Sequence, residues 1–159
     1  MNDIAVALAL HLLAVVLWIG GVGMVTTVLL PAVRRLKAPA DQLALFDQVE
    51  RRFAGQARLT TLVAGGSGFY LLHRMGLAAL TGSLPYWWLD AMIFVWVVFT
   101  LMLFVLEPLV LHRWLAARAS RDPAGTFRLV QGLHWVLLAI SLAAVAGAAA
   151  GSHGLTFPG

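Results

Sequence analysis

The chain of 159 residues contains no cysteine. That absence excludes disulfides, thiolate nucleophiles and iron–sulfur clusters together. Charge is scarce as well: Asp, Glu, Lys and Arg make up 11% of the residues against 61% apolar, and the mean hydropathy is +0.88. So little charge leaves no room for a separate soluble domain, and residues 1–159 read as one all-α, membrane-embedded domain. An internal repeat is also missing, and Met1-Asn2-Asp3 carries no Lys or Arg ahead of the first apolar run. That run therefore reads as a membrane span rather than a secretory signal.

Long apolar runs are what the chain does have, at about 4–30, 57–73, 87–111 and 127–150. At 1.5 Å rise per residue the first exceeds the ~30 Å hydrocarbon core. The pattern predicts a bundle of four transmembrane helices. In the first connection Pro31 should end helix one, Pro39-Ala40-Asp41 offers a helix start, and Leu43, Phe46, Val49 and Phe53 recur at helical spacing. This predicts a short amphipathic helix lying along the cytoplasmic interface. Pro85-Tyr86-Trp87-Trp88 places aromatic rings at headgroup level, and Ala143, Gly147 and Gly151, spaced by four, offer a close helix contact within or between protomers of a homo-oligomer.

Orientation follows from the basic residues. Ten of the eleven flank the first and third connections, from Arg34, Arg35 and Lys37 to Arg121 and Arg128, while the second connection holds Arg74 alone. Short loops rich in Lys and Arg stay in the cytoplasm, so both termini should be periplasmic in a bacterial inner membrane. The pI near 10.7 then reflects topology and a collar against anionic lipid headgroups, not nucleic-acid binding. At the span ends Asp90 is expected to pair with Arg74, and Glu107 with Arg113.

Without thiols, imidazole is the leading ligand. An ionisable side chain inside a span is costly and marks function by default, which singles out His11. His11 lies on a face with Ala7, Ala14, Val15 and Trp18, a surface suited to packing against protein. His73 shares the periplasmic half, beside Gly66, Phe69 and Tyr70, where Gly65-Gly66-Ser67-Gly68 would admit a flat, bulky group. His134 sits on a polar stripe with Gln131 and Ser141, at a level expected to differ from that of His11 by ~10 Å. His112 and His153 read as wetted interfacial residues. The expectation is bis-imidazole ligation of haem b (protohaem IX) iron by His11 and His73, with His134 as the alternative second ligand. Gly66, Tyr70 and Trp18 would line the pocket, and Trp18 and Tyr70 the electron's exit.

The stretch His11-Leu12-Leu13-Ala14-Val15-Val16-Leu17-Trp18-Ile19-Gly20-Gly21, with Leu30-Pro31 and Phe46 through Glu50-Arg51-Arg52-Phe53, resembles a superfamily of small membrane proteins. It includes the HemJ-type protoporphyrinogen oxidases and the CopD-type copper-resistance membrane domains. The resemblance implies a haem ligand at His11. Those relatives carry a lysine just inside helix three where this chain has Met92, so a haem-bearing scaffold is implied rather than protoporphyrinogen oxidation. It would be a small b-type cytochrome passing electrons to a redox partner in the periplasm or membrane, and an oxidoreductase role stays open. One alternative is a CopD-like copper-handling protein using His11, His73, Met75, Met92 and His153. The other is a structural or assembly subunit without cofactor.

Overall fold

The computed structural model describes residues 2–35, 39–111, 114, 117–118 and 121–154, and for residues 39–41, 43–44, 46–47, 50–51 and 110–111 it describes the backbone alone. Among the described residues the structure is all-helical, without a strand. Helix α1 runs Asn2–Val33, α2 Pro39–Arg74, and α3 from Trp87–Leu101 into a π-helical stretch Met102–Leu111, while α4 runs Pro123–Ser152. Three helices, Asn2–Val33, Leu84–Leu109 and Pro123–Ser152, are long and apolar enough to cross a membrane.

Two boundaries differ from the sequence expectation, for physical reasons. No separate amphipathic helix follows the first span: Pro39–Arg74 is one continuous helix of 36 residues, which takes in both the expected interfacial segment and the second apolar run. Nothing between them breaks the hydrogen-bond ladder, because Arg51 and Arg52 change polarity without opposing helical geometry. Nor does Pro31 end α1. The helix widens to π geometry over Val25–Leu29, the Leu30 N–H reaches back to the Val25 carbonyl, and one further turn follows to Val33. A widened turn of this kind admits a residue that has no N–H to donate. At the other end, α2 stops before Gly76, whose φ of 69° supplies the left-handed backbone that closes the helix.

Side-chain contacts fix an antiparallel register between α1 and α2. Asp3 meets Tyr70 and Arg74, His11 meets Ala64 and Ser67, and Gly21 faces the Phe53 ring. The seam thus runs from Asp3 to Gly21 of α1. Helix α3 packs against both: Trp96 Nε1 donates to the Thr61 carbonyl of α2 at 2.9 Å and the Trp96 ring meets Phe69 edge-on at 5.2 Å. Trp18 of α1, only 3% exposed, packs edge-to-face on Phe99 of α3 at 4.8 Å. With Ala14, Val22, Ala64, Val95, Leu138 and Ala144, these two rings form the main core. Helix α4 closes against α3: Gly147 packs on the Trp87 ring and Gly151 on the Trp88 ring. The glycines spaced by four therefore receive tryptophans of the same protomer, and those two tryptophans serve packing as well as any interface belt.

Gly65 lies directly under the Trp96 ring, whereas a Cβ at Gly132 would meet nothing within 4 Å. Gly65→Ala and Gly151→Ala are expected to destabilise the detergent-solubilised protein by about 1–3 kcal/mol each through overpacking. Gly132→Ala should be neutral or slightly stabilising, since helical glycine gives way to a better helix former in open space. Thermal melts of the three variants check the contrast.

Candidate functional site

His11 sits on the third turn of α1, half-buried, with its ring turned onto α2. Its Nδ1 lies 2.9 Å from the Ala64 carbonyl oxygen and 3.3 Å from Ser67 Oγ. A carbonyl only accepts, so Nδ1 carries a proton, which in a neutral ring leaves the lone pair on Nε2. Ser67 in turn donates to the Val63 carbonyl, which leaves its oxygen free to accept from His11. The ring fits because position 68 is glycine: a Cβ there would stand 3.0 Å from His11 Cε1 and 3.3 Å from Nδ1. Glycine in this segment thus lets a histidine approach the backbone.

Asp3 stands two turns earlier on α1. Its carboxylate accepts from Arg74 Nη2 at 2.7 Å and from the Tyr70 hydroxyl at 2.9 Å, both on α2. Sequence reasoning passed over Asp3, although an acid starting one span and a base ending the next is a pairing signal for antiparallel neighbours. The expected Asp90–Arg74 pair is replaced accordingly: Arg74 takes Asp3, and the Asp90 carboxylate instead accepts the Gly82 N–H at 2.9 Å. Glu107 pairs with Arg58 of α2 at 3.0 Å. Its expected partner Arg113 lies outside the described residues, as does His112.

His73 is exposed at the end of α2. It follows Ala64, whose carbonyl holds His11, by nine residues, which is about two and a half turns and therefore the opposite face of the helix. One protomer does not bring these two histidines together. Gly66 and Tyr70 are likewise exposed, Gly66 with open space around it and Tyr70 engaged by Asp3, while Trp18 is enclosed in the core. His134 is half-buried with Nδ1 2.9 Å from its own Val130 carbonyl. Its level follows from Gly23 facing Leu138 and Arg34 donating to Gln131 at 2.7 Å. These contacts place His134 beside the C-terminal end of α1, roughly 25 Å along the axis from His11. The expected ~10 Å offset is thus corrected: depth counted along one helix does not give its stagger against another.

Ser141 is fully buried and donates to the Leu137 carbonyl, so the polar stripe on α4 is satisfied by its own helix and by Arg34. Of the candidate copper ligands, Met75 and His153 are exposed, and Met92 packs against the main core. Among the described residues, no group of three or more His, Cys, Asp or Glu side chains gathers as a metal site.

In a neutral His11 ring, with Nδ1 held by the Ala64 carbonyl, Nε2 is the atom that could take a metal. At the level of His11 the helices α1 and α2 are in direct contact through Gly68, and position 73 lies on the face of α2 opposite Ala64. His11→Phe keeps a ring of similar size and removes the Nδ1 donor. It is expected to lower stability by about 1 kcal/mol, the usual worth of an interhelical hydrogen bond in a membrane. Asp3→Asn, at an exposed pair, should change it less. Chemical unfolding in detergent checks the order. No protein family, curated protein or solved structure matches this chain.

Proposed function

We propose that this chain crosses the bacterial inner membrane four times with both termini periplasmic, and that it is a haem b-binding electron-transfer protein of the HemJ- and CopD-like kind. Three spans rest on the length and apolarity of α1, α3 and α4. The fourth rests on α2 lying antiparallel to α1 from Arg74 beside Asp3 to Phe53 beside Gly21. The arginines give the orientation, since Arg34 and Arg35 follow α1, Arg121 and Arg128 flank the start of α4, and Arg74 alone closes the opposite end of α2.

The observation that carries the haem reading is the state of His11. A histidine that donates Nδ1–H to a main-chain carbonyl is fixed in one tautomer and orientation, and the hydrogen bond makes its Nε2 a stronger ligand. Such a ring inside a span is what an axial haem ligand requires. When bound, haem supplies a one-electron couple. The chain's own part is to hold the imidazole: Ala64 accepts its proton, Ser67 offers a second acceptor, and Gly68 leaves it room. We assign His11 as the single axial ligand given by one protomer. The second position is then open, or filled from outside that protomer, by a redox partner or a second copy.

Oxidised and dithionite-reduced absorption spectra of purified protein test this. The wild type should show Soret and visible bands that shift on reduction, His11→Ala should lose them, and His73→Ala and His134→Ala should keep them. A colourless wild-type protein would reject haem and leave the copper or cofactor-free readings. Loss of the bands in His73→Ala or His134→Ala would return the assignment to paired histidines.

A further inference from the structure

From Met102 to Leu111 helix α3 is π-helical, with Pro108 inside the stretch. In a π ladder each N–H bonds the carbonyl five residues earlier, so the ladder partner of the Leu103 carbonyl would be the N–H of residue 108. Proline has none. That carbonyl is met from another helix instead: Arg58 Nε donates to the Leu103 oxygen at 3.3 Å, and Nη2 of the same guanidinium donates to the Glu107 carboxylate at 3.0 Å. A planar fork with donors on separate nitrogens suits this double task, and an ammonium does not. Within apolar surroundings an unmet carbonyl is costly, so the donor from α2 decides whether the widened turn is tolerated.

We propose that Arg58 is the surrogate donor for Pro108, a positioning residue that latches the inner half of α3 in π-helical form against α2, with Glu107 orienting the guanidinium. The stretch 102–111 is then a hinge closed by one side chain. An Arg58–Glu107 ion pair alone would be indifferent to residue 108. The latch is not. It is also independent of haem.

The test is a set of thermal melts of the full-length protein in detergent. Arg58→Met is introduced in a Glu107→Met background, with Pro108 kept or with Pro108→Ala, so that position 107 accepts nothing and only the carbonyl contact changes. With Pro108 kept, Arg58→Met should lower the midpoint by about 3 °C or more. With Pro108→Ala, which restores a backbone N–H, the loss should fall to less than half, the non-additivity expected of coupled groups. Equal losses in the two backgrounds would overturn the latch. Should Arg58→Met not fold, hydrogen exchange on Arg58→Lys replaces it: peptides covering 104–111 should exchange about tenfold faster, with 87–99 unchanged. Unchanged exchange in 104–111 would overturn it equally.

Discussion

The antiparallel seam between α1 and α2 is the constraint on which the rest depends. Three polar or close contacts pin it: the Asp3 carboxylate on Arg74 and Tyr70, the His11 imidazole on the Ala64 carbonyl, and the Phe53 ring over Gly21. Between helices in a membrane the hydrophobic effect gives no register, since lipid is as apolar as any side chain. Directional bonds and small-residue contacts do. Of the three, the His11 contact lies between the other two. One imidazole thereby aligns two helices and presents a bare nitrogen.

Close packing elsewhere follows the same logic of backbone against ring. Trp96 lies over Gly65, Trp87 on Gly147 and Trp88 on Gly151. Each glycine admits a large flat side chain from the neighbouring helix, so dispersion does what water exclusion does in a soluble core. Proline acts oppositely, as a local widening. Both π-helical stretches lie beside or around a proline, Pro31 after Val25–Leu29 and Pro108 inside Met102–Leu111. They sit near the C-terminal ends of α1 and α3.

Helix content and the place of His11 were legible because both depend on local facts: long apolar runs, and one imidazole within the first of them. The continuity of α2 was not, since Arg51 and Arg52 look like a loop by composition although neither residue interrupts a helix. The partner of His11 was not legible either. Choosing His73 required knowing which face of α2 meets α1, and the nine-residue step from Ala64 puts it on the far side. Depth misled in the same way for His134, because the stagger of α4 against α1 is fixed by Gln131 with Arg34 and Leu138 with Gly23. Ion pairs across 49 and 71 residues, Arg58 with Glu107 and Arg74 with Asp3, likewise become visible only once helices are paired.

The central claim is that His11 gives its Nδ1 proton to α2 and its Nε2 lone pair to haem iron. Resonance Raman spectroscopy of the reduced protein, purified with natural or ¹⁵N-labelled histidine, addresses that bond directly. The account predicts an iron–imidazole stretching band that shifts on labelling and is absent from His11→Gly. A reduced haem protein whose iron–imidazole band persists in His11→Gly, or shows no isotope shift, would contradict it.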